Sequence, residues 1–214
     1  MRILETDNLC RSFGGLKAVD CLAIDIEESR ITALIGPNGA GKTTAFNLIT
    51  GVLPPSSGTV RFRDSDITGR PPHCIAALGI ARTFQNIRIF PAMSVIENVM
   101  IGLHCRSSRE FLATALRLPG VGREEKFIRE EARRELEFVG LGDLAHTQAG
   151  GLPFGLQRIL EIARALATNP KLILLDEPAA GLNTQETLAL GDLIRRILDR
   201  GVTVFLVEHD MELV

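Results

Sequence analysis

The alternation of apolar and polar positions divides the chain into parts with different periods. Residues 3–9, 23–26 and 59–62 carry alternating or β-branched patterns, separated by turn signals that include Pro54-Pro55-Ser56-Ser57-Gly58. They predict an antiparallel β lobe. Residues 31–35, 172–175 and 202–207 are instead short, continuous apolar runs, and helical segments precede the last two. Strands with no polar face belong in a parallel sheet covered on both sides. From Ser94 to Val139 no strand pattern is evident, whereas Ile128, Ala132, Leu136 and Val139 recur at helical spacing amid alternating charges. The expectation is an α/β core with an inserted helical lobe, the charged run 123–137 being its solvated face rather than an interaction surface.

Composition narrows the function classes. A chain of 214 residues suits one large domain or a core with an inserted lobe. With 24 basic and 26 acidic residues the net charge is −2, which supplies no basic footprint for nucleic acid. The apolar runs fall far short of the ~20 residues that span a bilayer, and residues 1–9 carry acids where a signal peptide would be apolar. A cytoplasmic location follows, unless a partner holds the chain at a membrane. Cys10, Cys21, Cys74 and Cys105 are scattered with no C-x-x-C, so idle thiols are expected rather than a zinc site or redox pair. His73-Cys74 and His104-Cys105 lack ligand spacing as well.

The most specific chemistry lies after the run 31–35. Gly36-Pro37-Asn38-Gly39-Ala40-Gly41-Lys42-Thr43 fits G-x-x-x-x-G-K-[ST], and a helix-like stretch from Thr44 to Ile49 follows, stopped by Gly51. Glycines let the backbone turn tightly and aim successive N–H groups at phosphate oxygens, and a helix N-terminus adds positive potential. Lys42 can reach the outer phosphates, and the Thr43 hydroxyl, beside Thr44, can ligate Mg²⁺. A nucleoside triphosphate is the expected ligand. The segment Lys171-Leu172-Ile173-Leu174-Leu175-Asp176-Glu177-Pro178 ends a buried strand on two acids. Asp176 suits Mg²⁺, directly or through water, and Glu177 is placed to polarise an attacking water. The plainer readings are a glycine-rich turn that binds nothing and an acidic strand end with structural hydrogen bonds.

Taken in order, these motifs resemble the ATP-binding subunits of ABC transporters over essentially the whole chain. Thr83-Phe84-Gln85-Asn86 looks like the Q-loop, with Gln85 as a metal and water ligand. Leu152-Pro153-Phe154-Gly155-Leu156-Gln157 occupies the signature position, where Pro153, Gly155 and Gln157 would complete a partner's site. Ala180-Gly181-Leu182-Asn183 resembles the D-loop, His209 the switch histidine, and Phe13 the aromatic that stacks on adenine. His209 follows an apolar strand, at the edge where open α/β sheets bind ligands. Arg11-Ser12-Phe13-Gly14-Gly15-Leu16, Arg82-Thr83-Phe84-Gln85, Met93-Ser94-Val95-Ile96-Glu97-Asn98, Asp176-Glu177-Pro178-Ala179-Ala180-Gly181-Leu182-Asn183 and Glu208-His209-Asp210-Met211 are similar to the branched-chain amino-acid uptake subfamily.

The resemblance implies a P-loop NTPase core with an N-terminal antiparallel β lobe and an inserted helical lobe, divided as residues 1–86, 87–156 and 157–214. It implies an ATPase using ATP and Mg²⁺, with Glu177, His209 and Gln85 catalytic and Thr43, Gln85 and Asp176 around the metal. The partners would be a second ATP-binding subunit, identical or different, membrane permeases and, indirectly, a periplasmic binding protein, with the chain peripheral on the inner face of the membrane. Two departures stand out: Pro153 replaces the usual signature serine and Leu156 the usual glutamine, so the site completed for a partner is expected to be weakened. Further strands and a helix are implied beyond His209, so a chain short at its C-terminus is expected to expose apolar surface and associate. The competing readings are a nucleotide-binding regulatory module with weak ATPase, or the same motor serving urea, amides or lipid.

Overall fold

The protein is described here by a computed structural model, which covers residues 1–104 and 121–208. Its contacts divide the chain into two compact units, Met1–Gln85 with the described part of Lys171–Val214, and Asn86–Pro170.

In the first unit, β1 (Arg2–Phe13) and β2 (Leu16–Glu27) form a long hairpin turned at Gly14-Gly15, and β4 (Ser57–Phe62) and β5 (Ser65–Asp66) extend it to the antiparallel order β2-β1-β4-β5. This is the expected β lobe, with strands longer than the apolar patches that mark them. Charged positions at the hairpin ends hide the pairing, because only backbone hydrogen bonds carry the strands that far. A second, parallel sheet has the order β3-β8-β7-β6, from β3 (Ile31–Ile35), β8 (Thr203–Glu208), β7 (Leu172–Asp176) and β6 (Ile80–Arg82). Every residue of β7 and β8 is buried, as continuous apolar runs require. The three-residue β6 is too short to leave a periodic trace and was not expected.

Both sheets share one core through α1 (Lys42–Ile49): Phe46, Leu48 and Ile49 pack with Leu4, Leu9, Ile26 and Phe62 and with Leu174, Phe205 and Val207. The Phe46 and Phe205 ring centroids lie 4.9 Å apart. A short helix, α2 (Pro72–Ala77), precedes β6 and buries Ile75 in the same core. Following β7 in the chain and packing on β8, α6 (Thr184–Asp199) begins with a capping box: Asn183 Oδ1 accepts from Glu186 N at 3.0 Å and Glu186 Oε2 accepts from Asn183 N at 3.0 Å. The D-loop asparagine thus starts a helix. Asn183→Ala should cost about 1 kcal/mol, read as a lower denaturation midpoint at unchanged slope.

The second unit is helical. α3 (Val95–His104), α4 (Val121–Val139) and α5 (Phe154–Ala167) pack together, and Ile128, Ala132, Leu136 and Val139 of α4 are all buried while its described charged positions point outward. The chain from α3 to α5 comes so close that a Cβ on Gly102 would sit 2.4 Å from the Arg164 carbonyl oxygen. α5 therefore belongs to this unit, so the units part at Pro170–Lys171 rather than at the 156/157 division expected above. Met93-Ser94-Val95-Ile96-Glu97-Asn98 has a structural explanation. Ser94 caps α3, with its N–H and hydroxyl both donating to Glu97, and these bonds hold the Glu97 carboxyl below its usual pKa range. Asn98, fully buried, grips the backbone at Phe90 and Ser94. No helix among the described residues is long and apolar enough to cross a membrane.

Candidate functional site

The loop 36–43 joins β3 to α1 at the carboxyl edge of the parallel sheet, where open α/β sheets bind ligands. Gly39 and Gly41 adopt positive φ, +84° and +86°. At Gly41 a Cβ would lie 2.2 Å from the Ala18 carbonyl oxygen of β2, so this glycine is required both by its conformation and by the close approach of the hairpin. The loop closes on itself. Lys42 Nζ, nearly buried, donates to the carbonyls of Gly36 at 2.6 Å and Pro37 at 3.1 Å. Its ammonium is thereby held against the loop's own backbone.

That cavity measures about 460 Å³, the scale of a small-molecule site, and is lined by Asn38, Gly39, Ala40, Gly41, Lys42, Thr43 and Thr44 together with Leu16, Lys17, Ala18, Gln85 and Glu177. Residues from four separate stretches of sequence therefore converge. Phe13 is not among the lining residues. Its ring, 42% exposed at the hairpin tip, lies 4.7 Å from the Arg11 guanidinium carbon.

Glu177, the residue after β7, adopts a left-handed conformation, φ +46°, which a non-glycine residue takes at a cost of order 1–3 kcal/mol. Its N–H donates to the Val207 carbonyl of β8 and its own carbonyl accepts from Ala180 N. These bonds hold the turn, and the turn swings a nearly buried carboxylate toward the cavity. Gln85 Nε2 donates to Glu177 Oε2 at 2.8 Å. Two residues 92 positions apart in sequence, each expected from its motif, are thus in direct contact.

Asp176 sits one residue back and deeper. Arg82 donates to Asp176 Oδ2 at 2.8 Å, to Asn47 Oδ1 at 2.7 Å and to Thr50 Oγ1 at 3.0 Å, and its guanidinium lies over the rings of Phe46 and Phe84. Asp176 Oδ1, also buried, accepts no hydrogen bond. One carboxylate oxygen is therefore fixed by an arginine while the other keeps its lone pairs, the arrangement a hard cation or its water would use. The residues fit Mg²⁺. Arg82 was not assigned a role from sequence, although it lies in the Arg82-Thr83-Phe84-Gln85 motif. Glu208 was missed as well: its Oε1 accepts from Ala179 N at 3.1 Å and braces the turn behind Glu177. His209, next in the chain, lies outside the described residues.

The signature residues lie in the helical unit. Pro153 is the residue before α5, with φ −53° and ψ 151°, and makes no side-chain cap bond. Gln157 donates to the Leu152 carbonyl at 2.8 Å, and Gly155 is buried. At the other end of the described helical chain, Arg88 N donates to Glu161, which is paired within a buried ion pair to Arg158 at 3.1 Å. The segment just after Gln85 is therefore fastened to α5 by charged groups.

A family model described as "ABC transporter" matches residues 19–180, well over half of the chain. The chain is 46% identical to the high-affinity branched-chain amino acid transport ATP-binding protein BraF of Pseudomonas aeruginosa, over 99% of its own length and 84% of that protein's. It is 42% identical to LivG of Escherichia coli, which carries the same description, with the same coverage. Among solved structures, the ADP conformation of MJ1267, an ATP-binding cassette of an ABC transporter, superposes with a TM-score of 0.87 at 37% identity, covering 100% of this chain and 84% of that one. A nucleotide-free ATP-binding cassette from an ABC transporter gives 0.86 at 36% identity.

Proposed function

Because the chain belongs to the ABC transporter family of ATP-binding subunits, an ATPase family, we propose that it powers uptake of branched-chain amino acids. The observation that carries the mechanism is the convergence of the loop 38–44, Gln85 and Glu177 on one cavity, with Gln85 bonded to the carboxylate. Loop N–H groups and Lys42 hold the phosphates, with Lys42 turning from the Gly36 and Pro37 carbonyls to phosphate oxygens of higher charge density. Glu177 accepts a proton from the attacking water, and Gln85 orients the carboxylate that does so. Thr43, Gln85 and Asp176 would hold Mg²⁺, which would supply positive charge to offset that of the phosphates. His209 hydrogen-bonds the terminal phosphate as charge develops, and Phe13 stacks on adenine.

The working assembly pairs two such subunits head to tail on permease subunits at the inner membrane face, fed by a periplasmic binding protein. The cargo reading is supported by the similarity to BraF and LivG, both branched-chain amino acid transport ATP-binding proteins. In that assembly Pro153 offers its partner neither a hydroxyl nor an N–H, and Leu156 no side-chain amide, so the composite site completed by α5 is the weaker of the two. Proteoliposomes holding this chain, its partner and their permeases should accumulate leucine, isoleucine or valine only with ATP and loaded binding protein. Lys42→Ala should lower both uptake and ATPase by about 100-fold. Uptake of urea, an amide or a lipid instead would reassign the cargo. ATP binding without turnover in the full assembly would make the chain a regulatory module.

A further inference from the structure

We propose that Cys10, Asp20 and Cys21, on the β1–β2 hairpin, form a binding site for a thiophilic divalent cation such as Zn²⁺. Sequence spacing gave no sign of such a site; folding brings its three donors within 4.8 Å of one another. The hairpin register is irregular where Cys10 lies, between the pairs Leu9↔Leu22 and Arg11↔Val19, so Asp20 and Cys21 together oppose Cys10. Successive residues of a regular strand point to opposite faces. Here Cys21 adopts φ +49°, and the bulge brings its thiol and the Asp20 carboxylate together.

The distances are those of a coordination polyhedron. Cys10 Sγ and Cys21 Sγ are 3.6 Å apart, Cys21 Sγ and Asp20 Oδ1 are 3.6 Å apart, and all three donors lie within 4.8 Å of one another. With Zn–S of about 2.3 Å and Zn–O of about 2.0 Å, a tetrahedral ion spaces two sulfurs about 3.8 Å apart and a sulfur from an oxygen about 3.5 Å. Two of the three edges are therefore close to metal-ready, whereas a disulfide requires the sulfurs to close to about 2.0 Å.

The surroundings supply charge balance. Cys21 N donates to Cys10 Sγ at 3.0 Å, which holds the Cys10 sulfur against the bulge that carries the other two donors. Two thiolates and a carboxylate around a dication leave one net negative charge, and Lys17 Nζ, 3.2 Å from both Asp20 oxygens, offsets it. Asp20 and Cys21 are exposed and Cys10 partly so, which gives an ion access and leaves the fourth position to water. Lys17 also lines the nucleotide cavity, so the ion would sit on the strand that forms one wall of the ATP site.

The test is a Cd²⁺ titration of chelator-treated, reduced full chain, followed by the ultraviolet cadmium–thiolate charge-transfer band. One equivalent should produce the band, Cys10→Ser and Cys21→Ser should each abolish it, Asp20→Asn should raise the Kd by at least about tenfold, and Cys74→Ser should leave it unchanged. Zn²⁺ at a hundredfold excess over its Kd should raise the melting temperature of the wild type by about 5–10 °C and that of the Cys10→Ser/Cys21→Ser double variant by nothing comparable. A band that persists in the double variant, or no band in the wild type with both hairpin thiols still reactive toward an alkylating agent, would overturn the site. So would a wild type whose two hairpin thiols oxidise to a disulfide at the same rate with and without the metal.

Discussion

Glu177→Gln should lower ATP turnover by the assembled transporter about 10²–10⁴-fold at this chain's site while leaving ATP affinity near that of the wild type. The substitution keeps the size and backbone of the residue, so the left-handed turn, the bond from its N–H to Val207 and the approach of Gln85 are all retained. What it removes is the only feature a general base cannot lack, a lone pair basic enough to take a proton from water. Single-turnover hydrolysis and binding of a fluorescent nucleotide separate the two effects. The equivalent change in the partner subunit completes the comparison. If Pro153 and Leu156 weaken the site this chain completes for its partner, the two variants should be unequal, with Glu177→Gln the more damaging. Turnover that survives Glu177→Gln unchanged would show that hydrolysis occurs elsewhere in the assembly.

Arg82→Met should destabilise the chain by about 3–5 kcal/mol, enough to lower the melting temperature by roughly 10 °C. Arg82 and Asp176 are 6% and 1% exposed at their side chains and 2.8 Å apart, so water cannot take over the carboxylate when the guanidinium is lost. Asn47 and Thr50 of the α1 region lose a donor at the same time, which loosens the tie between the helix behind the phosphate loop and the strand bearing Asp176. Arg82→Lys keeps the charge but not the planar fork that serves three acceptors, and should fall between. The Arg82→Met/Asp176→Asn double variant should recover most of the loss, because the damage comes from an uncompensated buried charge. A single variant that melts within 2 °C of the wild type would show that the pair does not hold these elements together.

The legible parts of this protein are those whose chemistry is local. The phosphate loop could be read because its glycines, lysine and threonine act through their own backbone and nearest neighbours, and β7 and β8 because burial on both faces leaves an unbroken apolar run. The buried stripe Ile128, Ala132, Leu136 and Val139 is equally local, being a period along one helix. Asp176 and Glu177 were legible as a strand end with two acids. Their different fates, one pinned to Arg82 in the interior and the other bent into the cavity, depend on a backbone angle that no residue type announces.

What stayed hidden depends on separation along the chain. β6 is three residues long and exists because Leu172, Ile173 and Leu174 offer it a parallel edge. The role of Arg82 appears only when residues 47, 50 and 176 are brought to one guanidinium, and Cys10 meets Cys21 only through an irregular hairpin register. By itself, then, the sequence determined the α/β class and the nucleotide-binding family, and it singled out the acids proposed to serve the nucleotide, since periodicity and motif spacing are properties of neighbouring residues. The tertiary structure alone decided which groups touch, because contact between distant residues is set by sheet order, register and the few positive-φ residues that turn a side chain out of its strand's regular face.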